Sequence, residues 1–213
     1  MSHVVWTIVV AAGSGARYGR PKQFDDLNGR RIVDRAVDAA RQVSNGVVVV
    51  VPAGTEDDDG FDVAVAGGST RSESVRRGLD AVPDDADVIV VHDGARPLAT
   101  VDLFRRVIEA VEAGADGAVP GMPVTDTIKQ ILPDGTVVNT PDRARLVAVQ
   151  TPQAFAAHVL RRAHAGHAEA TDDAALIEAA GGHVVVVAGE ADNRKITRPE
   201  DLEWAAARCE NHA

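Results

Sequence analysis

The sequence predicts an α/β fold built on a largely parallel sheet, and three observations carry that prediction. Apolar runs of strand length are continuous rather than alternating, as expected for strands covered on both faces. Segments of helical periodicity fall between those runs. One turn-forming tripeptide, Pro133-Asp134-Gly135, breaks the rhythm and marks an inserted hairpin.

The elements follow in order. Val4–Ala11 is the first strand and runs into a glycine-rich loop. A helix is expected over Ile32–Val43 and a second strand over Val47–Val51. Thr55–Gly60 is acidic and reads as a solvated loop before the strand Val63–Ala66. The helix Ser72–Ala81, the strand Val88–Val91, the helix Leu103–Ala113 and a short strand Ala118–Val119 continue the alternation. Val124–Ile131 and Thr136–Val138 then flank the Pro-Asp-Gly turn, either as an edge excursion or as an arm that meets a partner. Phe155–His164 and Ala174–Ala180 have helical patterns, Val184–Ala188 is the last strand, and Leu202–Arg208 the last helix. Thr197-Arg198-Pro199-Glu200 has the form of a capping box for that helix. Residues 1–213 read as one domain, with 122–141 as a β-arm insertion and no repeat or linker.

Composition narrows the function. Aromatic residues are 3% of the 213, so Ala, Val, Leu and Ile must fill the core. A net charge of −10 argues against a nucleic-acid backbone or an anionic membrane surface as partner, yet leaves a small anionic ligand open. Cys209 is the only cysteine, so an internal disulfide is excluded. No basic segment precedes the first apolar run, and no run approaches the roughly 20 residues of a membrane span. The expectation is a cytoplasmic protein.

The loop after the first strand reads Ala11-Ala12-Gly13-Ser14-Gly15-Ala16-Arg17-Tyr18-Gly19-Arg20-Pro21-Lys22-Gln23. Small residues admit close backbone approach, consecutive N–H groups form an anion site, and Arg17, Arg20 and Lys22 add charge. That combination suits a triphosphate. The chain has only three lysines, Lys22, Lys129 and Lys195, against nineteen arginines, so a retained lysine hints at a compact point charge. A dinucleotide fingerprint would need a third glycine, and an acid after the second strand; a Walker loop would need Gly-Lys-Ser/Thr. A plain glycine turn with surface arginines remains open. Gly67-Gly68-Ser69-Thr70-Arg71-Ser72-Glu73-Ser74 opens a helix whose N–H groups face a ligand or are capped by a serine. His92-Asp93-Gly94-Ala95-Arg96-Pro97 follows a buried strand, where an acid suits a hard cation or caps a turn. Asp126-Thr127-Ile128-Lys129, Asp142-Arg143, Gln150-Thr151-Pro152-Gln153 and Asp192-Asn193-Arg194-Lys195-Ile196-Thr197 are each weak alone.

Jointly and in this order, these motifs resemble those of the 2-C-methyl-D-erythritol 4-phosphate cytidylyltransferase family, from about Ile8 to about Ala205. The resemblance implies a Rossmann-like nucleotidyltransferase fold whose hairpin arm makes a homodimer. It implies a reaction that joins CTP to methylerythritol 4-phosphate and releases pyrophosphate. Arg17, Lys22, Arg143 and Lys195 would then be catalytic. Ala11, Ala12, Gly13, Gly15, Gly68, Ser69, Ser74, Asp93 and Gly94 would bind the nucleotide, and Asp93 would hold Mg²⁺. Arg96, Thr127, Arg143 and Thr151 would hold the polyol phosphate, Thr127 and Arg143 reaching across the dimer. The span from Arg17 to Pro21 is about two residues shorter than the family's, Gly94 stands where alanine is commoner, and Tyr18 replaces an aliphatic residue. A ribitol-5-phosphate cytidylyltransferase, an NAD-dependent oxidoreductase and a non-enzymatic nucleotide-binding module are the alternatives.

Overall fold

The computed structural model describes residues 3–15, 18–58 and 60–210. Its elements run β1 (Val5–Val10), β2 (Asp26–Leu27), β3 (Arg30–Arg31), α1 (Ile32–Arg41), β4 (Gly46–Val51), β5 (Val63–Ala66), α2 (Arg71–Asp80), β6 (Val88–Asp93) and α3 (Val101–Glu112). Then come β7 (Gly117–Pro123), β8 (Gln130–Ile131), β9 (Val137–Asn139), a 3₁₀ turn (Arg143–Arg145), β10 (Val147–Val149), β11 (Gln153–Ala156), α4 (Ala157–His164), α5 (Asp173–Ala179), β12 (Val184–Ala188) and α6 (Pro199–Glu210).

The main sheet is mostly parallel. β1 pairs in parallel with β4 and β6, β4 with β5, and β12 with β7. Alternate residues of the valine runs feed two apolar layers, which is why the runs had to be continuous. Val47, Val49 and Val51 join α1 and α3 on one face, while Val48 and Val50 join α2, α4 and α5 on the other. Burying each such valine contributes about 1.5–3 kcal/mol relative to leaving it exposed.

Three expectations need correction. Phe155 does not start a helix. Gln153–Ala156 is β11, antiparallel to both β6 and β7, and α4 begins only at Ala157. Strand-like burial wins because Phe155 is fully buried between α4's layer and the neighbouring strands. β7 also extends well past Val119, to Pro123, because β10 and β12 pair with its later residues. Finally, α6 starts at Pro199, and it is the Asp201 carboxylate, not Glu200, that accepts from the N–H groups of Thr197 and Arg198, both at 2.8 Å.

The Pro-Asp-Gly segment turns between β8 and β9, which pair antiparallel as a separate two-stranded sheet. Residues 125–140 are exposed throughout. Among the described residues, no helix is long and apolar enough to cross a membrane.

Candidate active site

The sheet reads β11-β6-β1-β4-β5 across its centre. The chain leaves β1 toward β4 and β5, then returns to place β6 on β1's other side. That reversal opens a crevice at the carboxyl ends of β1 and β6, where ligands bind in open α/β sheets. Val10 and Asp93 are register partners at this edge.

The β1 loop is bent back by Gly15. Its φ is +68°, and a Cβ there would lie 1.9 Å from the Arg20 carbonyl oxygen, so no other residue fits without rearrangement. Its own carbonyl accepts from the N–H groups of Tyr18 and Gly19. The return brings Lys22 and Gln23 into a cavity of 430 Å³ with Ala11, Ala12, Gly13 and Ser14. Gln23 is buried, and its Nε2 donates to the Gly13 carbonyl. The Lys22 ammonium lies 5.7 Å from the Tyr18 ring centroid.

The start of α2 forms the opposite wall. Thr70 caps the helix by accepting from the Glu73 N–H. Glu73 in turn accepts from both the N–H and the hydroxyl of Ser69, at 2.7 Å each, and these contacts with Arg77 pull its carboxyl down to about 2. Ser74 Oγ accepts from the Gly68 N–H and donates to the Thr70 carbonyl. Gly68, Ser69 and Ser74 do line the cavity, but their polar groups are already engaged by this cap.

Asp93 lies where two cavities meet. The second, of 260 Å³, shares Arg71, Asp93 and Lys195 with the first and adds Arg96, Gln150, Thr151 and Gln153. Lys195 Nζ donates to Asp93 Oδ2 at 2.8 Å, while Arg96 Nε is 3.6 Å from Oδ2 and Arg71 Nε 3.8 Å from Oδ1. Burial pushes the Asp93 carboxyl up, but Lys195, Arg71 and Arg96 outweigh it and hold it well below the usual carboxylate range. The loop after β12 is fixed by the Ile196 N–H on the Ala95 carbonyl, and by buried Asn193, whose Nδ2 donates to the Thr151 carbonyl. The Asn193 carbonyl accepts from Arg96 Nη1 at 2.8 Å. In the same loop, the Arg194 guanidinium stacks 4.5 Å from the Trp204 ring centroid.

Thr151 is tied to β6. Its Oγ1 accepts from the Asp93 N–H at 3.0 Å and lies 3.1 Å from His92 Nδ1. His92 is fully buried, which pushes it down to about 4 and leaves the ring neutral at pH 7. Its Nε2 faces the Arg96 carbonyl, which can only accept, so Nε2 carries the hydrogen and the Thr151 hydroxyl donates to Nδ1.

The crevice therefore gathers Ala11, Ala12, Gly13, Lys22, Gly68, Ser69, Ser74, Asp93 and Lys195 in one cavity, and Arg96 and Thr151 in its neighbour. Gly94 sits between the lining residues Asp93 and Ala95, its N–H on the Val10 carbonyl. Arg17 lies outside the described residues. Thr127 and Arg143 line neither cavity. Both are exposed, Thr127 on the arm and Arg143 in the 3₁₀ turn just after it, where Arg143 Nη1 donates to the Thr125 carbonyl. Arg71 and Gln23 line the site and Asn193 braces it, but none of the three carried an assignment from the sequence. Each stood inside a quoted motif, so the signal was present.

Among the described residues, no group of three or more His, Cys, Asp and Glu side chains could cage a metal. Asp93 nevertheless fits Mg²⁺ of one kind. Its Oδ1 lies 3.8 Å from Arg71 Nε, beyond hydrogen-bond reach, and Mg²⁺ is commonly held by one or two carboxylates plus substrate phosphates and water.

Comparison with known proteins agrees with this geometry. The family model IspD, 2-C-methyl-D-erythritol 4-phosphate cytidylyltransferase, matches residues 5–211. A protein of that name from Rhodococcus jostii is 47% identical over 98% of this chain and 96% of its own length. Another from Streptomyces avermitilis is 44% identical over 94% and 89%. The crystal structure of the Thermus thermophilus 2-C-methyl-D-erythritol 4-phosphate cytidylyltransferase superposes with a TM-score of 0.82 at 35% identity, covering 99% of this chain and all of that one. The 4-diphosphocytidyl-2C-methyl-D-erythritol synthase of Anaerococcus prevotii gives 0.84 at 29% identity, over 98% and 99%. With two glycine-rich loop walls and a cationic junction at the switch point, and relatives alike over nearly its whole length, the chain belongs to the 2-C-methyl-D-erythritol 4-phosphate cytidylyltransferase family.

Proposed function

We propose that the chain joins CTP to 2-C-methyl-D-erythritol 4-phosphate, giving 4-diphosphocytidyl-2-C-methyl-D-erythritol and pyrophosphate. The observation that carries this reading is the junction at Asp93, where Lys195, Arg71 and Arg96 meet two adjoining cavities, one walled by glycine-rich loops. An oxygen of the polyol phosphate attacks the α-phosphorus of CTP. The new O–P bond forms as the bond to the α,β-bridging oxygen breaks, and pyrophosphate leaves with that oxygen. A phosphate monoester is mostly dianionic at neutral pH, so no side chain need remove a proton. The protein's work is to bring two polyanions together and stabilise charge at phosphorus.

In this reading Ala11, Ala12, Gly13, Gly15, Gly68, Ser69, Ser74 and Gly94 cradle the nucleotide. Lys22 and Arg17 stabilise charge on the triphosphate, and Lys195 serves the same centre from the β12 loop. Arg96 and Thr151 hold the polyol phosphate in the smaller cavity. Asp93 would hold Mg²⁺ alongside the substrate's phosphates, and the ion would supply positive charge to offset the triphosphate. Thr127 and Arg143 complete the neighbouring subunit's site from the arm of a homodimer. Exposed Ile128, Ile131, Leu132, Val137 and Val138 on that arm, with Val147 and Val149 beside it, support such an interface. Neither a nucleic acid nor a membrane is a partner, and the protein works in the cytoplasm.

The test is pyrophosphate release from CTP and Mg²⁺ with either methylerythritol 4-phosphate or ribitol 5-phosphate. Release with the first supports the reading. Release with ribitol 5-phosphate alone rejects the substrate, and CTP binding without release rejects the enzyme.

A further inference from the structure

Arg71 occupies an unusual position. With Asp93 and Lys195, it faces both cavities, yet it sits at the first residue of α2, where a charged side chain ordinarily points to solvent. Its side chain is only 24% exposed. The Nη1 end lies 2.8 Å from Asp173 Oδ2, and the Nε edge lies 3.8 Å from Asp93 Oδ1. Asp173, at the start of α5, is 1% exposed, and its other oxygen takes a 3.0 Å contact from Nε2 of His164, the buried last residue of α4. A chain of buried groups thus runs from α4 through α5 and α2 to the carboxylate at the cavity junction.

Resting on the cytidylyltransferase reading, we propose that Asp173 is a positioning residue for the transfer: backed by His164, it holds the Arg71 guanidinium between the two cavities, as a cation for phosphate oxygens on either side. The geometry supplies the reason. Two carboxylates compete for one guanidinium. Without Asp173, Arg71 is free to pivot toward Asp93, close the 3.8 Å gap to hydrogen-bond range and neutralise the carboxylate across the junction. With Asp173 in place, Arg71 is held short of Asp93, and Asp93 Oδ1 stays open to the cavities. Neither Asp173 nor His164 lines the two cavities, so neither would touch a substrate there. Their effect passes through Arg71.

A double-mutant cycle tests this. Asp173→Asn should lower kcat/KM for CTP by roughly tenfold to a hundredfold, and Arg71→Ala by at least as much. In the Arg71→Ala background, adding Asp173→Asn should change kcat/KM by less than about threefold. If the two losses instead multiply, Asp173 acts independently of Arg71 and the proposal is overturned. A second cycle on metal-free pyrophosphate binding, by calorimetry, separates this idea from the proposed reaction. Should the wild-type chain fail to release pyrophosphate, the reaction fails, while coupled losses of pyrophosphate affinity would still support the positioning. Unchanged affinity in both single variants overturns it. If Asp173→Asn does not fold, Arg71→Lys decides, since one ammonium cannot contact Asp173 and also face Asp93 Oδ1. That variant should melt near wild type and lose about tenfold or more in kcat/KM, and wild-type kinetics would overturn the proposal.

Discussion

Replacing Asp93 with asparagine keeps the side chain's size and removes the one negative charge facing three cations. Lys195, Arg96 and Arg71 lie 2.8, 3.6 and 3.8 Å from its oxygens, and the residue is 7% exposed. A unit-charge pair about 4 Å apart is worth about 4 kcal/mol at an effective dielectric constant near 20, before desolvation is charged against it. Breaking a buried ion pair costs about 3–5 kcal/mol net, an upper bound here because Arg71 keeps Asp173 and Lys195 is partly exposed. At about 2–4 °C per kcal/mol for a chain of this size, Asp93→Asn should lower the melting temperature by roughly 6–20 °C. The low end is favoured, because the amide oxygen can still accept from Lys195. Ligand binding should respond in two opposite ways. The Mg²⁺ concentration needed for half-maximal pyrophosphate release should rise at least about tenfold, since a neutral amide is a poor ligand for a hard cation. Metal-free pyrophosphate should bind at least as tightly as to wild type, because an anion has left a cationic cavity. Acid sharpens the comparison. The carboxyl is held below its ordinary value, so its stabilisation is fully present above about pH 4 and lost as pH falls further, and the gap between the two proteins should narrow there. A variant that melts within a degree of wild type and has the same Mg²⁺ curve would refute the reasoning.

Further outcomes follow from the same geometry. Lys22→Ala should lose about 3 kcal/mol of transition-state stabilisation, about two orders of magnitude in kcat, with a smaller change in CTP affinity; near-normal turnover at saturation would reject the assignment. Burial takes His92 from 6.5 to about 4, so the unfolded chain takes up the proton first. Its contribution, about 3 kcal/mol, is therefore present above about pH 6.5 and lost toward pH 4. His92→Asn should flatten the melting curve over that interval, and parallel curves for the two proteins would sink this account. Mixing inactive Lys22→Ala and Arg143→Ala subunits should restore activity toward half the wild-type value per heterodimer if the arm completes the neighbour's site. No recovery after exchange proven by mass spectrometry rejects sharing.

The sheet's centre was legible because its chemistry is one-sided. Val47–Val51 has no polar residue to alternate, so only a strand buried on both faces accommodates it. β11 was not, since in Gln153-Ala154-Phe155-Ala156 only Phe155 favours a strand, too little to set against the helical spacing that follows, and pairing with β6 and β7 makes it one. At the site, the loops announced themselves through glycines and lysines. Ser69 and Ser74 line the cavity, but their use by Glu73, Gly68 and Thr70 depends on rotamers that no motif encodes. Arg71 was hidden differently. Its partner Asp173 lies in an ordinary-looking acidic pair, Asp172-Asp173, and only the packing of α5 against the sheet reveals which of the two points inward.

The stacking of Arg194 on Trp204 gives the protein an optical handle. Only Trp6 and Trp204 contribute indole emission, and Trp6 is packed into the β1–β4 pair with its ring against Gly46. Trp204 rests under the guanidinium of the residue next to Lys195, whose ammonium grips Asp93. Should a phosphate that draws Lys195 off that carboxylate shift the backbone as well, Arg194 would move against the indole and its quenching would change; unchanged emission would mean the ammonium turns by side-chain rotation alone. In a Trp6→Phe protein the remaining fluorescence would then report on the Lys195 loop. Rapid mixing with CTP, then with the polyol phosphate, would time the arrival of each substrate without any label and before any bond is made.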